Sequence, residues 1–290
     1  MRAVKLQLVV CLVLSMALHA SGGSTIDSTD KWAWASSGWI NCLPNTTNGA
    51  VIGEYVCSGY FWSAGAGWIN LGNGNPTNKI RYTNASSNDF GVNHDGKGNL
   101  RGYAWCPSSG WINFEDTGAP KVDLKSGNLS GYAWGGSLGW ISFTNVSGHA
   151  ETVTLYSGTN TDSDGLPDAW EYTYTNTLSV FSSSADFDQD GFTDGDEYAA
   201  ATDPRSASSF LCITSIGSTN GTNMITWTCD PTRIYQVETN LFLTNSAGWG
   251  DCGYGMIVTN SSSNATIQLP IIPLDSCFYR IKVSVPGLFP

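Results

Sequence analysis

The chain is poor in charge. Asp, Glu, Lys and Arg make up 13% of its 290 residues, and 24 acidic against 13 basic side chains give a net charge of −11. With no basic patch to release counterions from phosphate, nucleic acid is excluded as a partner. Histidine is scarce: beyond the N-terminal segment only His94 and His149 occur, and both read as solvated side chains, one in a hairpin turn and one in a connector. There is no HExxH and no histidine cluster, and the cysteines lack the CxxC-like spacing of a thiolate metal site. Past residue 22 no long apolar run exists, so no membrane span is expected. In the front half no stretch repeats with the 3.6-residue period of a helix.

What is present is most specific at residues 186–197, DFDQDGFTDGDE. Asp186, Asp188, Asp190, Gly191, Phe192, Asp194 and Glu197 fall at positions 1, 3, 5, 6, 7, 9 and 12 of an EF-hand-type calcium loop. Alternating carboxylates converge on one hard cation. Glycine permits the sharp turn, the position-7 carbonyl adds a neutral oxygen, and the last glutamate can clamp with both oxygens. Residues 160–171, NTDSDGLPDAWE, repeat the pattern with Asn160, Asp162, Asp164, Gly165, Leu166, Asp168 and Glu171. Asn160 lacks the charge usual at position 1, so this loop should bind more weakly. Two calcium sites are expected, each followed by a short helix. The Ser-rich stretch 176–185 is a poor incoming helix, and Thr193 stands where an aliphatic is usual. Both departures point to a structural clamp rather than a sensor.

The N-terminus reads as a secretion signal over residues 1–22. Arg2 and Lys5 precede an apolar run from Leu6 to Leu18, and small residues follow at Ala20-Ser21-Gly22. The mature protein is therefore expected to be secreted, extracellular or at the cell surface.

Residues 23–148 hold four aromatic repeats: WAWASSGWIN from 32, GYFWSAGAGWINL from 59, GYAWCPSSGWINF from 102 and GYAWGGSLGWISF from 131. Their second tryptophans are Trp39, Trp68, Trp111 and Trp140. Asp95-Gly96 and Ser126-Gly127 are hairpin turn signals. Period-2 alternation puts Tyr103 with Trp105 on one face, and sets Ile112 and Phe114 opposite Trp111 and Asn113. Such units must pack against one another, which predicts an antiparallel β domain: a sandwich, a barrel or a small propeller-like ring. The tryptophans have two readings. They are core, or they stack on sugar rings while Asn41, Asn70 and Asn113 bond hydroxyls. Cys42 and Cys57 stand where other repeats carry Phe or Leu, as core residues or as one disulfide.

The overall class is mostly β and multidomain. A connector (149–159) leads to the paired calcium loops (160–205), then to a C-terminal β-sandwich (206–290) whose alternation shows at Ile225 and Trp227, Tyr235 and Val237, and Tyr279, Ile281 and Val283. Export permits disulfides. Cys212, Cys229, Cys252 and Cys277 suffice for two, and a Cys229–Cys277 bridge is plausible from their places at strand edges.

The GxLxGYAWxxxxGWINF repeats, the DxDGLPDxWE and DxDGxxDxxEYxxxTDP loops and the closing FYRIKV together resemble secreted proteins of Verrucomicrobia, Lentisphaerae and their relatives. The loops are similar to bacterial thrombospondin type-3-like repeats, which are related to dockerin loops. The end segment, with Trp227, Tyr235, Trp249 and Phe278-Tyr279-Arg280, resembles a fibronectin type III-like domain. The resemblance implies export and calcium binding and no particular reaction.

Three functions follow. The first is a non-catalytic extracellular adhesion or scaffold protein stiffened by calcium, with a cell-surface protein or extracellular polysaccharide as partner. The second is a carbohydrate-binding protein using Trp39, Trp68, Trp111 and Trp140. The third is a polysaccharide-degrading enzyme, for which glycosidase carboxylates leave no fixed spacing to find.

Overall fold

The computed structural model describes residues 23–287 except 146–147, 220–221, 242–247, 261–262 and 271–277. The expected leader (1–22) and Cys277 lie outside the described residues. The chain divides into two compact units at Val180/Phe181. The division falls between the two acidic loops.

In the first unit each aromatic repeat is one antiparallel hairpin: Ile26–Ala35 with Gly38–Asn41, Ser58–Ser63 with Gly67–Asn73, Leu100–Cys106 with Gly110–Asn113, and Tyr132–Gly135 with Gly139–Ser142. The hairpins pair side by side, and the last returns to the first through Trp34 and Ser142. The eight strands thus close into an antiparallel barrel. Of the architectures open to the sequence, this one leaves the ring without an edge.

A barrel of this size has an interior just wide enough to be filled by side chains. One isoleucine per hairpin, Ile40, Ile69, Ile112 and Ile141, points inward, opposite Ala33, Phe61, Ala104 and Ala133. Phe61 and Phe114 both meet Phe143, at ring-centroid distances of 6.1 and 5.8 Å. Gly102 precedes the third aromatic strand with φ +98°, and a Cβ there would lie 2.4 Å from the Gly91 carbonyl oxygen. Only glycine meets both constraints.

Cys42 and Cys57 are free thiols buried in this core, so the disulfide alternative is corrected. They are core residues, and burial pushes the Cys57 thiol up to about 12. His94 is also corrected: it is fully buried rather than solvated. Its ring spans Gly53 O (3.0 Å from Nδ1) and the Gly98 N–H (3.0 Å from Nε2). Burial drives its pKa down to about 4, and the neutral tautomer with the proton on Nδ1 satisfies both neighbours. The insertion after the second hairpin is tied by Asp89. Burial opposes ionisation of Asp89, but hydrogen bonds from Thr83 and Thr77 outweigh it and hold the carboxyl down at about 2.

In the second unit, Ile213–Thr219, Thr222–Thr228 and Asn264–Pro270 form one sheet. Ile234–Asn240 centres another, beside Phe278–Ser284 and two short strands. Trp227 and Ile225 from the first, and Tyr235, Val237, Ile281 and Val283 from the second, share one apolar cluster. Arg280 bonds Glu238 at 2.5 Å and lies over the Trp249 ring at 4.6 Å. Cys212 and Cys252 are free thiols, so the two-bridge expectation for this end is corrected. The Cys229–Cys277 pairing lies outside the described residues.

Ile112→Ala in the full chain removes a buried barrel residue and should destabilise by about 2–5 kcal/mol. A urea melt of the first unit's fluorescence would show it. A loss below about 0.5 kcal/mol would mean the barrel does not depend on that inward layer.

Candidate functional site

The two acidic loops share one backbone scaffold. Position 4 is left-handed in both (Ser163 φ +64°, Gln189 φ +63°), and so is position 6 (Gly165 φ +97°, Gly191 φ +99°). A Cβ on Gly191 would meet nothing within 4 Å, so the turn itself, not crowding, requires glycine there. The position-5 carboxylates accept the N–H two residues on, from Leu166 to Asp164 and from Phe192 to Asp190, each at 2.9 Å. At position 9, Asp168 and Asp194 accept the position-2 N–H of Thr161 (2.7 Å) and Phe187 (3.0 Å). Their second oxygens are taken by the Thr159 and Thr161 hydroxyls and by the Ser182 N–H. Asp168 and Asp194 therefore brace the loops, and their oxygens are already bonded within the chain.

The remaining carboxylates converge. Ligand oxygens of Asp162, Asp164 and Glu171 lie within 4.8 Å of one another, as do those of Asp186, Asp188 and Asp190. Short helices carry the closing glutamates: Asp168–Tyr174 (α1) holds Glu171 and Asp194–Ala200 (α2) holds Glu197. Both glutamates are buried. Thr193, unusual for an EF-hand, is the N-cap of α2 in a reciprocal capping box with Asp196. At the other end of α2, buried Arg233 donates to Tyr198 O (2.6 Å) and Ala199 O (3.1 Å).

A cation fits these residues on one specific observation. Buried oxygens without a hydrogen-bond donor include Asn160 Oδ1, both Oε of Glu171, Asp188 Oδ2, Asp190 Oδ2 and Glu197 Oε2. Buried carboxylate oxygens are costly when unpaired, and these gather at the ligand positions of the two loops. Burial first, then neighbouring aspartates, push Glu171 and Glu197 each up to about 8. Burial and like charge also raise Asp164 and Asp188. Oxygen-only clusters of this kind can hold a metal ion.

Outside the barrel lies a second feature. The core reading of the tryptophans is corrected: Trp34, Trp39, Trp62, Trp68, Trp105, Trp111, Trp134 and Trp140 point outward, each 36–46% exposed. They pair directly across each hairpin. Three pairs are edge-to-face at 4.8–5.1 Å. Trp39, Trp68, Trp111 and Trp140 each touch a further aromatic of their own hairpin, Trp32, Tyr60, Tyr103 and Tyr132 respectively. Between hairpins, Asn41 faces Trp62, Asn70 faces Trp105, Asn113 faces Trp134 and Ser142 faces Trp34. The three asparagine Oδ1 atoms each accept one N–H, from Leu43, Gly72 and Glu115, which orients the amides and leaves their N–H groups for a ligand.

Sequence spacing did not suggest one further group, Asp30, His149 and Glu151, because Asp30 is far from the other two in the chain and meets them only across strand pairing. Gly135–Gly139 also spells GxSxG, but here the turn joins two strands of a hairpin rather than a strand and a helix. No described helix is long and apolar enough to cross a membrane. No family model matches the chain, and no curated protein or solved structure matches it.

The glutamate shifts fix the sign of a pH effect. With metal chelated, native Glu171 and Glu197 hold their protons up to about pH 8, against an ordinary 4.5 in the unfolded chain. The native state then binds more protons over that window, so stability should fall as pH rises from about 4.5 to about 8. Buried, neutral His94 acts in the opposite sense between about pH 4 and 6.5, so the test compares urea midpoints of wild type and the Glu171→Gln/Glu197→Gln double variant in chelator at pH 5 and pH 8. The variant should gain on the wild type as pH rises, and a difference between the two that does not change with pH would contradict the burial of these glutamates.

Proposed function

We propose that this is an exported, calcium-stabilised, non-catalytic protein that adheres to extracellular or cell-surface polysaccharide through the tryptophans around its barrel. The observation that carries the reading is the outward ring of eight partly exposed tryptophans. Indole faces take the C–H faces of pyranose rings, and single contacts of this kind are weak. Four similar seams on one barrel raise avidity without any new kind of contact. Calcium is the metal we infer, because the ligand atoms are all hard oxygens, several of them carboxylates, at the spacing of a 12-residue calcium loop. Asn160, Asp162, Asp164, Glu171 and the Leu166 carbonyl would hold one ion. Asp186, Asp188, Asp190, Glu197 and the Phe192 carbonyl would hold the other, with Asp168 and Asp194 keeping the loops in shape. The ion supplies the positive charge that lets these carboxylates stay ionised together. We read the C-terminal unit, two sheets sharing a core, as a fibronectin type III-like sandwich, and the loops as thrombospondin type-3-like.

Calorimetric titration with calcium should find two sites, and Glu197→Gln should remove the one that lacks Asn at position 1. Two unchanged sites in that variant would contradict the ligand assignment.

The sugar reading is tested by tryptophan fluorescence of the calcium-loaded protein against a polysaccharide panel and phosphatidylcholine vesicles. A saturable shift with one glycan class is expected. A response to vesicles alone, or to nothing in a folded protein, would reject it.

A further inference from the structure

The four seams between hairpins are alike in their tryptophans and unlike in what lies beside them. Two residues after the asparagine or serine of each seam stand Leu43, Gly72, Glu115 and Thr144. Only the seam between the third and fourth hairpins therefore carries a charge at this position. It also forms a groove of about 330 Å³, lined by Asn113, Glu115, Thr117, Gly118, Trp134 and Trp140. That volume lies at the small-ligand end of binding cavities. The neighbouring seam differs: Phe90 packs against Trp111 there at 5.1 Å.

The polar groups of the groove are oriented by the backbone. Glu115 Oε1 accepts the Gly102 N–H at 3.0 Å, which fixes the carboxylate and leaves Oε2 without a donor among the described residues. Asn113 Oδ1 accepts the Glu115 N–H at 2.6 Å, which leaves its amide N–H groups as donors. Thr117 adds an exposed hydroxyl. Two aromatic rings, one fixed carboxylate, one amide donor and one hydroxyl match a ring that is apolar on its face and hydroxylated at its rim.

Resting on the polysaccharide reading, we propose that this groove is the principal subsite and takes one neutral hexopyranose unit. The sugar stacks on the Trp134/Trp140 pair, and adjacent hydroxyls donate to Glu115. The carboxylate also selects against anionic chains, since a uronate would bring like charge into the groove. The other three seams then act as weaker, uncharged contacts for the same chain.

The test titrates cellohexaose, laminarihexaose, mannohexaose and polygalacturonate into the calcium-loaded full chain by calorimetry. The wild type should bind at least one neutral hexaose and bind polygalacturonate more weakly. Glu115→Gln keeps an acceptor for the Gly102 N–H but loses the charge. It should weaken the neutral hexaose by about tenfold or more, the scale of a lost charge-assisted hydrogen bond. Trp134→Ala should do the same, and both variants should melt near the wild type. Wild-type affinity in either variant overturns the groove assignment. If Trp62→Ala or Trp105→Ala then weakens binding instead, the tryptophan reading survives and the groove alone is wrong. Preference for polygalacturonate overturns the charge selection. No binding of any chain by the folded protein overturns both readings.

Discussion

The room inside an eight-stranded barrel sets the terms for the rest of the first unit. Such an interior is just wide enough to be filled by a limited volume of side chains. One isoleucine per hairpin with alanines and a few phenylalanines already fills it. Eight indoles cannot enter the same space, so alternation along every strand sends them outward. The ring of aromatics is thus a consequence of closure. Once outside, the indoles of three hairpins pack edge-to-face on one another, an arrangement that contributes about 0.5–1.5 kcal/mol per pair beyond area burial. They still keep more than a third of their surface open. An exposed apolar band of this extent on an acidic chain suits a ligand that is apolar in patches and uncharged.

A different constraint governs the acidic loops. Each brings several carboxylates together and buries the closing glutamate, which raises its pKa far above the ordinary range. That arrangement is self-repelling unless a cation shares it. The loops are held ready by bonds that need no metal: the position-9 carboxylates on position-2 N–H groups, the left-handed turn at positions 4 and 6, and the capping box of α2. The two loops fall in different units, so each unit carries its own acidic cluster that could hold a metal ion. In the second unit, the link is visible in the chain. Arg233 closes the C-terminal carbonyls of α2, and Ala200 packs into the same cluster as Trp227 and Tyr235. Strain at an unneutralised Glu197 therefore bears on the helix that this core holds.

Much of this was legible. The hairpins follow from period-2 alternation and glycine-bearing turns, and the loop geometry follows from spacing alone. What alternation cannot give is which face is inside. Trp111 and Asn113 separate from Ile112 and Phe114 in either case, and only the volume enclosed by a closed ring decides between them. The same limit hid His94, whose burial comes from contacts with Gly53 rather than from its own turn. Asn41, Asn70 and Asn113 carry a second role that spacing does not show, because their Oδ1 bonds to the backbone depend on the local bend after each strand. Thr193 was the opposite case. It broke the EF-hand pattern for a reason that helix-capping chemistry supplies.

The departures from fourfold repetition separate packing from function. Inside the barrel they compensate. Phe61 replaces an alanine in the hairpin that follows the one where Cys42 replaces Leu or Phe, so a large residue offsets a small one in the same crowded core. Outside, each equivalent position answers to its own surroundings: Gly72 has φ +125° and a Cβ there would lie 2.5 Å from the Tyr82 hydroxyl, while Thr144 donates its hydroxyl to Leu129 O. Glu115 has no opposite change that balances it, and a glycine or threonine serves the equivalent position in other hairpins without loss of the strand pairing. Its bond to the Gly102 N–H fixes an oxygen pair beside two indoles, which the barrel does not need in order to close. On the proposed sugar reading, a carboxylate that breaks the repeat and is oriented by a backbone N–H beside two indoles is what would set this seam apart from the other three.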